Sequence, residues 1–209
     1  MSGVSDLNEM DKSEIIARYE SRLAEYGHDV RTLASGSDEK QEIRYRTLSE
    51  IGIKDSQSVL DLGCGFGGFY GFLNDLGLKI EYTGCDIVPG LLKIASSLYP
   101  DTKFELRDIQ EDGPGQLFDW IVSSQAFNNR LRYESNTDVI KDVISKAFEY
   151  CRRGIAIDMM SKHVEYEEER LFYFNPSEMF SFAKTISPRV VLRHDYLKYE
   201  FCIYIFRSD

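Results

Sequence analysis

The segment Ser58-Val59-Leu60-Asp61-Leu62-Gly63-Cys64-Gly65-Phe66-Gly67-Gly68-Phe69 constrains this chain more than any other. Apolar, strand-forming residues run directly into a turn in which glycine recurs, and glycine admits the positive φ angles of a tight strand-to-helix reversal. Amide groups at the start of a helix, with no side chains over them, allow a ligand to approach the backbone closely, so the turn reads as a nucleoside-cofactor site. Gly63, Gly65 and Gly68 also satisfy the G-x-G-x-x-G spacing of a dinucleotide fold. Charge separates the two readings. Asp61, two residues before the first glycine, would repel a pyrophosphate. It favours the amino group and sulfonium of S-adenosylmethionine, which carries no phosphate.

Further carboxylates fall where such a cofactor needs them. Lys79 to Cys85 reads as a second strand ending at Asp86, with Ile87 beyond it. A spacing of roughly 20 residues from the glycine turn suits a carboxylate accepting from ribose hydroxyls. Lys103 to Arg107 reads as a third strand ending at Asp108, which can accept from an adenine amino group while Ile109 covers the ring. Phe118 to Val122 is a fourth strand, opening into Ser123-Ser124-Gln125-Ala126-Phe127-Asn128. The small residues at that mouth, Ser124 among them, leave room for the methionine portion.

In this order the motifs resemble the class I S-adenosylmethionine-dependent methyltransferases: V-L-D-L-G-C-G-F-G at 59–67, Y-T-G-C-D-I at 82–87, R-D-I at 107–109 and F-D-W-I-V-S-S at 118–124. The resemblance implies that Asp61 with Gly63, Gly65 and Gly67 holds the methionine end, Asp86 the ribose, and Asp108 with Ile109 the adenine. It implies that Tyr19 or Arg44, in the leading helices, meets the cofactor's carboxylate. It also implies an α/β fold, a Rossmann-like parallel sheet with a terminal antiparallel hairpin, seven strands in all, behind N-terminal helices. Residues 190–201, V-V-L-R-H-D-Y-L-K-Y-E-F, are similar to a group of small bacterial methyltransferases.

The elements expected from periodicity agree with that order. Asp11 to Tyr26 and Asp38 to Ile51 read as leading helices, and Phe69 to Leu76 and Leu91 to Leu98 as crossovers. In Asn136 to Cys151, Val139, Ile140, Val143, Ile144, Ala147, Phe148 and Cys151 share one face; Gly154 is expected to end that helix and Ile155 to begin a fifth strand. Asn175-Pro176-Ser177-Glu178 opens a helix to about Ile186, with cap, proline and capping-box glutamate in place. Arg189 to His194 and Tyr199 to Arg207 are two strands whose short connection forces them antiparallel.

A chain of 209 residues, 43% hydrophobic, buries one good core, so one domain is expected, with 1–52 as N-terminal helices and lid and 53–209 as the Rossmann-like core. Against 35 acidic residues there are 25 basic ones, a net charge of −10 that opposes a phosphate backbone. Arg130 with Arg132 and Arg152 with Arg153, the short basic clusters, read as a solvated turn and a helix C-terminus. The polar, acidic Met1 to Met10 is no signal peptide, and no apolar run spans a membrane. Cys64, Cys85, Cys151 and Cys202 lack zinc or redox spacing and read as reduced thiols of a cytoplasmic protein. No metal is expected.

In an open sheet of this type the methyl acceptor approaches the carboxyl ends of the strands. His163, after the fifth strand, is the candidate general base, its ordinary pKa suiting proton abstraction. Glu165 and Glu167 to Glu169 would attract a cationic amine, Tyr166 and Tyr173 would close over a small substrate, and Gln125 and Asn128 would orient it. The loop after the fourth strand departs from the N-P-P-Y motif of enzymes acting on base or amide nitrogens. The expected function is methyl transfer from S-adenosylmethionine to an oxygen or nitrogen of a small molecule, with no nucleic acid or membrane partner. Two alternatives are a nicotinamide-dependent reductase and a non-catalytic cofactor-binding partner subunit.

Overall fold

The structure is a computed structural model that describes residues 8–34 and 36–208. Seven strands form one sheet: β1 (Ser58–Leu62), β2 (Glu81–Asp86), β3 (Lys103–Leu106), β4 (Phe118–Ser124), β5 (Cys151–Met160), β6 (Val190–Leu197) and β7 (Glu200–Phe206). Their spatial order is β3-β2-β1-β4-β5-β7-β6. Strands β1 to β5 pair in parallel. A helix follows each of β1 to β4 and supplies the crossover that parallel pairing demands: α3 (Gly68–Asp75), α4 (Pro89–Leu98), the single turn α5 (Ile109–Asp112) and α6 (Asn136–Glu149). Strand β7 runs antiparallel to both β5 and β6. From β1 the chain winds outward to β2 and β3, then returns to place β4 on the other side, so the order reverses between β1 and β4. A crevice opens at the carboxyl ends of strands where such a reversal occurs.

Alternation along β1 feeds two cores. Leu60 and Leu62 join Ile121, Ile155 and Ile157 beneath α6 and α7 (Pro176–Ile186). Val59 faces the other way, toward Phe69, Leu73 and Leu48 of α3 and α2 (Asp38–Ser49). In α6, Val139, Ile140, Val143, Ile144 and Ala147 are all buried, as their helical spacing predicts. Asn175 caps α7, its side chain accepting from Ser177 N and Glu178 N. The four cysteines are buried free thiols. Among the described residues no helix is long and apolar enough to cross a membrane.

Some boundaries differ from the sequence-based expectations. The first leading helix, α1, runs Glu9–Tyr26, capped by Asn8. Strand β5 begins at Cys151, so Gly154 lies inside a strand instead of ending a helix. A Cβ there would sit 2.6 Å from the Ile205 carbonyl oxygen and 3.3 Å from the Trp120 ring, so glycine serves the close approach of β7. Strand β6 extends through His194 to Leu197, leaving only Lys198 and Tyr199 between the hairpin strands. The segment 161–175, expected as a loop, is tied back by bridges pairing Ser161 with Phe174 and Asn129 with Leu171.

Candidate functional site

The glycine turn has the backbone its composition demands. Gly63, Gly65 and Gly67 have φ angles of +72°, +55° and +75°. The amides of Gly63 and Cys64 donate to the Cys85 carbonyl (2.8 and 3.0 Å), fastening the turn to the end of β2. A Cβ on Gly63 would lie 2.4 Å from the Ala126 methyl, so the loop after β4 seats directly on this glycine.

Three carboxylates stand at the carboxyl ends of β1, β2 and β3. Asp61 is 3% exposed and accepts a 2.6 Å hydrogen bond from the Tyr82 hydroxyl. Burial pushes its carboxyl up to about 7; the Tyr82 bond opposes that shift and Asp86 adds to it. Asp86 accepts from the amides of Gly65 and Val88, each at 2.9 Å. Its carboxyl is also raised by burial, with the backbone donors acting against the rise. Asp108 caps α5 by accepting from Gln110 N (3.0 Å) and lies 3.1 Å from Lys12 Nζ.

With the glycine turn these aspartates line one cavity of about 160 Å³. Its charge character is lopsided. The one basic residue in its wall, Arg107, is engaged by Glu105 (3.0 Å) and the Gly113 carbonyl (2.9 Å). Three carboxylates facing one neutralised guanidinium fit a cationic nucleoside and disfavour a pyrophosphate. The antiparallel β7 likewise departs from the all-parallel sheet of a dinucleotide-binding reductase.

Helix α1 roofs the cavity with Ile15 and Tyr19. Its attachments are largely polar. Asp11, 2% exposed, accepts from the backbone amides of Arg132, Tyr133 and Glu134 (2.8, 3.1 and 3.2 Å). Arg18 donates to Asn129 (2.7 Å), and Glu20 accepts from Gly90 N at the start of α4 (2.8 Å).

Of the residues singled out in the sequence, Tyr19, Asp61, Gly63, Gly65 and Asp86 line the cavity. So do Ile87, Asp108, Ile109, Ser124 and Gln125. Gly67 stands behind the wall as the left-handed N-cap of α3, with Phe104 filling the space a Cβ would need. Several expectations are corrected by placement. Arg44 does not face the cavity; its guanidinium makes a buried two-pronged pair with Glu200 (Nε to Oε2 2.6 Å, Nη2 to Oε1 2.7 Å). The adjacent Tyr45 lines the cavity instead, because helical rotation places it on the face shared with Gln41 and Leu48. His163 lies outside the lining, exposed and 5.8 Å from the His194 ring at the far edge of the sheet. Tyr166 is 72% exposed. Tyr173 is buried in packing, its hydroxyl accepting from Glu168 N (3.1 Å). Asn128 is buried between Gln125 and Met160 N and does not reach the cavity. The short basic clusters are paired as well: Arg130 with Glu167, Arg132 with Glu14 and Arg153 with Asp119.

Sequence reading also missed Ile15, Leu33, Gln41 and Asn129 in the cavity wall. The i, i+4 spacing of Gln41 and Tyr45 was a legible signal; nothing local marks Leu33 or Asn129. Among the described residues no cluster of His, Cys, Asp and Glu is placed to hold a metal ion.

Comparison with known proteins agrees with the site. The methyltransferase domain family matches residues 59–154. A Mycobacterium tuberculosis protein classed as a methyltransferase is 29% identical over 167 residues, spanning 76% of this chain and 98% of that protein. Magnesium protoporphyrin IX methyltransferase from Synechocystis, solved with bound S-adenosylhomocysteine, superposes with a TM-score of 0.67 at 14% identity, over 95% of this chain and 100% of that one. DhpI in complex with S-adenosylhomocysteine gives a TM-score of 0.69 at 15% identity, over 94% and 96% of the two chains. At those identities the solved structures establish a shared fold. Family match, fold and acidic glycine-turn cavity together make this chain a member of the class I S-adenosylmethionine-dependent methyltransferases.

Proposed function

We propose that the cavity under α1 is the S-adenosylmethionine site and that the methyl group passes to an oxygen or nitrogen of a small-molecule acceptor. The observation that carries the site assignment is the trio Asp61, Asp86 and Asp108 in one cavity whose single basic residue is already engaged. Asp61 pairs with the cofactor's ammonium, Asp86 accepts from the ribose hydroxyls, and Asp108 faces the adenine amino group with Ile109 against the ring. Tyr19 and Tyr45 present phenols at the same wall and are the candidates for the carboxylate end. The sulfonium makes the bound methyl group electrophilic, so the chain's own task is alignment and exclusion of water.

Helices α1 and α2, residues 1–52 of the chain, act as a lid on the core of residues 53–209. A small acceptor is supported by that roof, by the small residues Ser124 and Ala126 at the mouth, and by the net charge of −10, which disfavours nucleic acid. The test is calorimetric titration with S-adenosylmethionine and S-adenosylhomocysteine, with NADH as control. Selective micromolar binding of the first two supports the site, and preference for NADH refutes it. Radiolabelled methyl transfer to panels of small alcohols and amines, run beside RNA and protein, then tests the acceptor class; label appearing only in macromolecules refutes it.

A further inference from the structure

A second polar centre lies behind the cavity, and the assigned site does not account for it. Asp158 sits in β5 opposite Ser124 of β4, 1% exposed, and is absent from the cavity wall. Its Oδ1 accepts from both the backbone amide and the side-chain nitrogen of Gln125 (2.7 and 3.1 Å). The same nitrogen donates to Glu200 Oε2 (3.1 Å), and Asn128 donates to the Gln125 side-chain and backbone oxygens. Gln125 has a φ of +58°, in the left-handed region that a residue with a side chain occupies only where its surroundings hold it. The next residue, Ala126, is the one seated on the bare face of Gly63. The turn at Gln125 therefore sets how closely the loop after β4 approaches the glycine turn.

We infer that Asp158 is a positioning residue of the cofactor site, acting by holding Gln125 in its left-handed turn so that Ser124 and Ala126 close the wall against Gly63. Three features distinguish this role from simple burial of a polar group. Asp158 uses one oxygen for two hydrogen bonds to the same residue, while its Oδ2 has no hydrogen-bond partner. Arg44, the nearby cation, is committed to Glu200 through both prongs. The residue so held is the only cavity-lining one among the non-glycine residues at positive φ, the others being Ala34 and Ser56.

The inference rests on the S-adenosylmethionine reading of the cavity, and its test separates the two. Affinity for S-adenosylhomocysteine is measured by calorimetry on the full chain, with circular dichroism and thermal melting to certify folding. Asp158→Ala is expected to weaken binding about tenfold, equivalent to about 1.4 kcal/mol. Asp158→Asn retains an oxygen for both Gln125 bonds and is expected to stay within about threefold of wild type, about 0.65 kcal/mol. Gln125→Gly removes the need for support, since glycine occupies this region without steric cost. In that background Asp158→Ala is expected to cost less than about twofold. Equal losses for the Asn and Ala variants, no loss for Ala, or no rescue by Gln125→Gly would each overturn the inference. If Asp158→Ala does not fold, the Asn variant and the Gln125→Gly pair decide. Wild-type protein that fails to bind S-adenosylhomocysteine would refute the cofactor reading itself.

Discussion

Cofactor affinity should depend steeply on pH, and Asp61 is the reason. Burial raises its carboxyl to about 7, so in the free protein Asp61 is mostly protonated below that pH and mostly ionised above it. A cofactor ammonium prefers the ionised form, so protons compete with binding. Ionisation falls from about 0.9 at pH 8 to about 0.03 at pH 5.5, which predicts a roughly 30-fold weakening of S-adenosylhomocysteine binding, about 2 kcal/mol, at each full pKa unit worth about 1.36 kcal/mol. The stability sign is opposite. Because the folded pKa lies above the ordinary 3.8, ionising Asp61 costs stability, and the free protein loses this contribution as pH rises from about 4 to about 7. Cofactor binding should therefore raise the melting temperature more at pH 8 than at pH 5.5. The assay is calorimetry across pH 5.5–8.5 in buffers of different ionisation enthalpy, which also counts protons released. Asp158 is raised to about 7 as well, by burial and then by Glu200, so Asp61→Asn must assign the slope. Affinity that stays flat in the wild type, or a slope that survives in Asp61→Asn, would refute the reasoning.

Gly63→Ala should destabilise the fold by at least about 1–2 kcal/mol from its left-handed backbone alone, and abolish cofactor binding because its Cβ meets Ala126; urea unfolding and calorimetry read the two effects. Arg44→Ala strands Glu200 beside Asp158 in the interior and should cost about 3–5 kcal/mol in urea unfolding; a loss under 1 kcal/mol would contradict the buried pairing. Asp11→Ala frees three backbone amides from the α1 contact, and hydrogen exchange should become faster across residues 9–26 while β1 and β4 remain protected. His163→Ala should leave S-adenosylhomocysteine affinity unchanged, since the imidazole lies outside the cavity.

What the chain determined by itself is local. The glycine turn, the carboxylate at each strand end, the one-sided face of α6 and the Asn175 cap depend on φ preferences and short-range periodicity, and all are visible in consecutive residues. The two-residue connection before β7 likewise forces an antiparallel hairpin. Tertiary structure decided which side chains reach the cavity. Arg44 and Glu200 are 156 residues apart, and only the packing of α2 over β7 joins them and turns Tyr45 inward. Histidine at 163 has suitable chemistry, yet the bridges between Ser161 and Phe174 and between Asn129 and Leu171 carry its segment away from the cofactor side. Asp158 showed in sequence as one acid within the apolar run Ile155 to Met160, and its bond to a left-handed Gln125 emerged only when β5 was laid beside β4. Backbone preferences act between neighbours in the chain, whereas a site is assembled by contacts whose partners the chain order does not specify.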